Sequence, residues 1–298
     1  MNVNVKTVLE QFWGGRAVWV SGATGSWGTR LCQRLLTLPI ARLVAFCRGE
    51  HRAHDLVHGL NDDRVRVYLG DVRDRVRVSH SLAGVSVVIH TAALKRIDRQ
   101  TYAPTEIADV NIGGTQAVID GCITAGVERA FYISSDKAAL PTTFYGATKL
   151  VAEQLWLSAN DIRPTDFIAA RFGNALGSQG SVLEIWRKQM RGGEPLTITD
   201  PEMTRFVITL TKAVRLIVED YIPEMRGGEL RLPAMPAVEI GALARAFAGP
   251  DYPIQVVGNR GFGEKTHELL SADGASSSTA PGLSMEWLRE ILKKEGLL

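Results

Sequence analysis

The chain has 298 residues, 45% of them apolar and 22% charged, with a net charge of +2. That length carries one large α/β domain, or a main domain with a smaller one. The near-neutral balance gives no reason to expect nucleic acid or an acidic membrane as a partner. Three widely spaced cysteines, Cys32, Cys47 and Cys122, form no CxxC. They read as reduced thiols of a cytoplasmic protein, and no metal is expected. No leader segment and no apolar run long enough to span a bilayer is visible, so no membrane association is expected.

In chain order, residues 1–15 read as a short amphipathic helix with Val8, Leu9 and Phe12 inward, ending at Gly14-Gly15. Apolar runs follow at Arg16–Val20, Leu43–Phe46, Val65–Leu69, Val85–Ile89, Arg129–Ile133 and Asp166–Ala170, with helical periods between them. Short β-rich runs separated by helices predict parallel strands with crossover helices. The fold class is therefore α/β, a doubly wound parallel (Rossmann) sheet. Beyond Gly173 the elements shorten: a helix near Val182–Met190, a strand near Glu229–Leu232, a helix near Val238–Phe247, a strand near Ile254–Val257. These predict a smaller C-terminal substrate domain. The resulting division is 1–172 for a dinucleotide, 173–270 for a substrate, and 271–298 for a linker and terminal helix. Residues 271–283 are small and polar, as in a disordered linker. Met285, Trp287, Leu288, Ile291 and Leu292 share one side of the last helix.

The first strand runs into Ser21-Gly22-Ala23-Thr24-Gly25-Ser26-Trp27-Gly28. Gly22, Gly25 and Gly28 allow a tight turn and a close approach of backbone to a pyrophosphate. The following helix aims its amides at the phosphates, with Thr24, Ser26 and Trp27 beside them. A glycine triplet alone is weak evidence; its place between a strand and a helix strengthens it. At the end of the second strand a carboxylate would hold the ribose hydroxyls of NAD, but Arg48 stands there and suits a 2′-phosphate. NADP is the expected cofactor, although Arg48 also reads as a solvated surface charge. Asp71-Val72 is placed for the adenine edge, and Ala92 and Ala93 are small where the cofactor must pass.

Tyr145 and Lys149, four apart on a predicted helix from Phe144 to Ser158, project from one face. A nearby ammonium stabilises a phenolate, which predicts a lowered pKa for Tyr145 and a role as base. Ser134-Ser135-Asp136-Lys137 ends the fifth strand, where open α/β sheets bind ligands. An acid beside a base suits elimination. The competing reading is a surface Asp-Lys pair that caps a turn.

The segments Thr24–Gly28, Gly70–Asp74, Ala92–Lys95, Ser134–Ala138, Tyr145–Lys149, Arg171–Val182, Thr199–Phe206 and Gly263–Glu268 together resemble the UDP-N-acetylglucosamine 4,6-dehydratases of the polysaccharide-biosynthesis family, which are extended short-chain dehydrogenases/reductases. The resemblance spans about residues 16–270. It implies an NADP-dependent, redox-neutral dehydration of UDP-N-acetylglucosamine, inverting at C5. It gives Tyr145 the C4 hydroxyl proton, Lys137 the C5 proton, Asp136 the departing C6 hydroxyl, and Ser135 a hydrogen bond near O4. It also places Lys95, Tyr145 and Lys149 at the cofactor, and Lys95, Asn174, Ser181, Val182, Arg205, Arg260 and Glu264 at the UDP-sugar. A homo-oligomer, a dimer or larger, is implied as well.

Two departures stand beside the expected sugar pocket. Gly258-Asn259-Arg260-Gly261-Phe262-Gly263-Glu264-Lys265 has an extra residue and lacks the proline of similar enzymes. Arg96-Ile97-Asp98 replaces the usual His-Val-Pro. A UDP-sugar epimerase, or a bifunctional dehydratase-epimerase, needs Tyr145 and Lys149 but not Asp136-Lys137. A non-catalytic NADP-binding sensor needs none of the four.

Overall fold

Alternating β-rich and helical stretches condense into a parallel sheet covered on both faces. This is a computed structural model, and it describes residues 3–95, 103–162, 165–258, 263–274 and 276–298. The N-terminal part runs α1 (Val3–Trp13), β1 (Ala17–Ser21), α2 (Ser26–Leu36), β2 (Arg42–Cys47), α3 (Glu50–Leu60), β3 (Val65–Leu69), α4 (Arg75–Ser81) and β4 (Val87–His90). It continues with α5 (Pro104–Ala108), α6 (Gly114–Ala125), β5 (Arg129–Ser135), α7 (Phe144–Ser158) and β6 (Asp166–Phe172). Then come β7 (Asn174–Leu176), α8 (Val182–Arg191), β8 (Leu196–Ile198), β9 (Thr204–Thr209), α9 (Leu210–Arg215) and α10 (Ile222–Glu224). The chain finishes with β10 (Leu230–Arg231), β11 (Ala237–Glu239), α11 (Ile240–Ala248), β12 (Ile254–Val256) and α12 (Met285–Lys294).

The main sheet has seven strands in the order β10-β6-β5-β4-β1-β2-β3, and its strand pairs are parallel. Strand order reverses between β1 and β4, and the crevice above that switch point is where such sheets hold ligands. Strands β1 and β4 are buried end to end and β5 at all but its first and last residues, as sheets covered on both faces require. One core packs α1, α2 and α9 on one face, and another packs α4, α6 and α7 on the other. Trp156 of α7 is fully buried, and its indole N–H donates to the Ile168 carbonyl at 3.0 Å.

Four sequence expectations change here. The strand near Glu229–Leu232 belongs to the main sheet, as β10 beside β6, because its backbone completes that edge. Val8 of α1 is 55% exposed, while Leu9 and Trp13 turn inward. On α12, Leu288 and Leu292 bury against Trp186 and Leu243, whereas Met285 and Trp287 face out. The stretch read as a disordered linker is folded along β9. Ser277 is buried there, sharing a hydrogen bond with the Thr204 hydroxyl, and Ala237 bridges to Gly282. Small polar residues fit that place because their backbone groups find partners. Among the described residues no helix is long and apolar enough to cross a membrane.

Candidate active site

The crevice at the switch point forms a cleft of about 450 Å³. Its floor is the turn after β1. Gly22 has φ +60°, and a Cβ there would lie 2.8 Å from the Thr91 hydroxyl. A Cβ on Gly28 would lie 2.3 Å from the Gly22 carbonyl, so α2 packs on the turn only because Gly28 has none. Gly25 begins α2 without a side-chain cap, leaving the leading amides turned to the cleft. Ser21 clasps the two sides of the switch point. Its hydroxyl accepts from the Thr91 and Ala92 amides at 2.9 and 3.0 Å and donates to His90 Nδ1 at 2.7 Å. Burial pushes the His90 imidazole down to about 3, so it stays neutral, and its other nitrogen donates to Thr115.

Thr24, Ser26, Trp27, Arg48, Asp71, Val72, Ala92, Ala93 and Lys95 all line this cleft, together with the three glycines except Gly28, which lies beneath them. Arg52 and Gln179 line it too, and sequence reasoning singled out neither. Arg52, in the first turn of α3, lies four residues after Arg48, so this end of the cleft carries two cations. Asp71 is engaged by Arg73 at 2.8 Å and faces Arg48 at 3.7 Å, and the Arg73 hydrogen bond holds its carboxyl below the usual range. A loop-to-helix bond closes the end of the cleft at the start of α2, where the Gln179 amide donates to the Ser26 hydroxyl at 2.7 Å.

At the neighbouring carboxyl end of β5 the groups expected to react lie side by side. The Tyr145 phenol faces Ser135, whose hydroxyl works against the rise of the phenol's pKa. The Ser135 hydroxyl donates to Asp136 at 2.9 Å. Lys137 Nζ donates to the Asp136 carboxylate at 3.0 Å and to Asn174 Oδ1 at 2.8 Å. Asp136 is fully buried, and that burial raises its pKa; the Lys137 ammonium opposes the rise, and the Glu268 carboxylate adds to it. The predicted acid, base and Asn174 therefore meet within one cluster.

Tyr145 and Lys149 depart from expectation. Desolvation pushes the phenol above its ordinary value, with the Asp136 charge adding to it and Ser135 opposing. Lys149 does not lower it: the ammonium donates to the Ile133 carbonyl at 2.7 Å and lies 4.0 Å over the Tyr132 ring. Burial brings Lys149 itself down to about 7. Arg205 is buried, with its guanidinium turned to the Thr204 and Thr266 carbonyls. Ser181 stands at the head of α8 with a buried hydroxyl that has no hydrogen-bond partner among the described residues, and Val182 begins that helix. Glu264 is exposed beside the loop that carries Lys137. Arg260 and the Arg96-Ile97-Asp98 stretch lie outside the described residues.

Two features escaped sequence reasoning. Glu153 of α7 and Arg171 of β6 form a buried bidentate pair that also takes the Ser134 hydroxyl, framing the end of β5. Glu268, visible beforehand only as the last letter of a motif, is buried 3.4 Å from Lys137.

Residues 18–285 match the polysaccharide biosynthesis protein family. The chain belongs to this family. A UDP-N-acetylglucosamine 4,6-dehydratase (inverting) from Campylobacter jejuni is 36% identical over 270 residues, 89% of this chain and 80% of its own length. A UDP-glucose 4-epimerase from Rickettsia prowazekii is 31% identical over 265 residues, 86% of this chain and 77% of its own. The crystal structure of Pen from Bacillus thuringiensis superposes with a TM-score of 0.90 at 30% identity, covering 96% of this chain and 99% of that one.

Proposed function

We propose that this protein is a sugar-nucleotide 4,6-dehydratase acting on UDP-N-acetylglucosamine with NADP, yielding a 4-keto-6-deoxy sugar inverted at C5. The observation that carries the reading is the cluster Tyr145–Ser135–Asp136–Lys137–Asn174 at the end of β5. In this reading residues 1–172 hold the dinucleotide and residues 173–270 the sugar nucleotide.

The turn at Gly22 and Gly28, the uncapped start of α2 and the cations Arg48 and Arg52 fit a phosphorylated dinucleotide. Bound there, it supplies a reversible hydride acceptor. Tyr145 takes the C4 hydroxyl proton as the phenolate, a form that the positive nicotinamide ring of a bound oxidised cofactor would favour against the burial that raises the phenol here, with Ser135 orienting the oxygen and Lys149 supporting the cofactor side. The ketone acidifies C5, and Lys137 removes that proton. Asp136, whose burial raises its pKa, gives its proton to the departing C6 hydroxyl. The Ser181 hydroxyl, without a hydrogen-bond partner among the described residues, and the start of α8 suit the UDP phosphates, with Lys95, Val182, Glu264 and Arg260 around the sugar nucleotide. Arg205 acts by fixing this wall.

The epimerase reading draws support from the Rickettsia prowazekii relative. Epimerisation at C4, however, gives the Asp136–Lys137 pair nothing to do, and a sensor would need none of these groups. Self-association through α6 and α7 belongs to the same proposal, since Phe144 and Val151 of α7 are 40% and 44% exposed. Incubation with UDP-N-acetylglucosamine in heavy water tests the activity. The product should lose one water, carry deuterium at C5, and hold the former C4 hydrogen at C6. Unchanged mass with a new sugar signal would make the protein an epimerase.

A further inference from the structure

An acid and a base on adjacent residues pose a chemical difficulty. Asp136 must hold a proton while Lys137 lacks one, yet the two are 3.0 Å apart and together favour the ion pair. A third group resolves this, and Glu268 has the required placement. It is 3% exposed, on the segment that crosses from β12 toward α12. Its Oε1 lies 3.4 Å from Lys137 Nζ, and its Oε2 is buried with no hydrogen-bond partner among the described residues. Lys265 and Arg205 face it at 3.8 and 4.0 Å, and Asp136 is the other carboxyl of the cluster. The Ser277 hydroxyl accepts from the Glu268 amide at 2.8 Å, which fixes the backbone.

Resting on the dehydratase reading, we infer that Glu268 is the positioning residue that receives the proton Lys137 must shed before it can act as a base. At rest the cluster holds Asp136 as the acid, Lys137 as ammonium and Glu268 as carboxylate. One N–H bond of Lys137 breaks and an O–H bond forms on Glu268, leaving a free amine beside two carboxylic acids with no change in net charge. Lys137 then takes the C5 proton while Asp136 gives its proton to the leaving hydroxyl. Tyr145, which took the O4 proton, returns it to C5. The Glu268 proton passes through Lys137 to Asp136, and the resting state is restored. Two protons are taken from the sugar, from O4 and C5, and two are given back, one to C5 and one in the departing water.

The test compares the purified holoprotein with Glu268→Gln and Glu268→Asp, given UDP-N-acetylglucosamine. Gln keeps the size of the side chain but takes up no proton. E268Q should still oxidise C4, so near-ultraviolet absorbance of reduced nicotinamide accumulates with a 4-keto sugar that keeps its C6 hydroxyl. Release of water should slow at least ~10-fold, with KM little changed. E268D, which restores a carboxyl on a shorter stem, should recover part of the rate. Water release by E268Q at the wild-type rate would overturn the inference. So would an equal loss of C4 oxidation and elimination, or an E268D no faster than E268Q. Wild-type protein that oxidises C4 yet releases no water would instead overturn the dehydratase reading itself.

Discussion

Lys149 is held where a lysine is least at ease, 3% exposed and brought down to about 7 by desolvation. An unfolded lysine keeps its proton up to an ordinary value of 10.5. Between those two values the unfolded chain binds more protons, so this residue makes stability rise with pH across that window. Lys149→Met should therefore raise the melting temperature most at pH 7 and below, with the gain fading toward pH 10, while abolishing turnover. Thermal scans across that range check it; a gain independent of pH would mean that the ammonium is not desolvated. Arg48, 56% exposed and 3.7 Å from Asp71, has in the proposed function a role toward the ligand rather than the fold. Arg48→Asp should weaken NADP by about 1–2 kcal/mol and leave NAD nearly unaffected, measured by calorimetric titration of both. Equal loss for both cofactors would show that Arg48 does not meet a 2′-phosphate.

The contact between β1 and α2 depends on what Gly28 lacks. Its absent Cβ would sit 2.5 Å from the Ala23 Cα as well as against the Gly22 carbonyl, both of them backbone, which cannot turn aside. Gly28→Ala should cost about 1–3 kcal/mol of stability and displace the leading amides of α2, so that the dinucleotide no longer co-purifies; an Ala variant with normal melting and bound cofactor would refute the packing. Elements of this kind were legible in the sequence. The glycine spacing, the strand-helix alternation and the YxxxK pair are local patterns set by backbone geometry and helical period. Contacts between distant segments were not legible. Glu268 meets Lys137, and Lys149 turns to the Ile133 carbonyl, only because separate elements converge at the end of β5. The π-helical turn at Asp109–Gly113 was equally hidden; there Asn111 bonds both the amide and the carbonyl of Leu94 and steadies the cleft wall. The segment before α12 misled because small polar residues suit both disorder and a strand-like path whose backbone groups are paired.

Across the molecule, the sheet whose crevice we propose as the dinucleotide site and the loop that precedes α8 are joined where the Gln179 amide meets the Ser26 hydroxyl. Ser26 begins the helix facing the phosphates, and Gln179 lies two residues before Ser181. A ligand that orders either side of this bond therefore removes part of the ordering entropy the other would otherwise lose. Thermodynamic linkage makes such an effect symmetrical: whatever factor the dinucleotide adds to sugar-nucleotide affinity, the sugar nucleotide must add to the dinucleotide's. A protein that borrows a hydride and gives it back has no need to exchange its cofactor. In the proposed reaction this bond would tie the longest retention of the cofactor to the interval in which the sugar is between oxidation states.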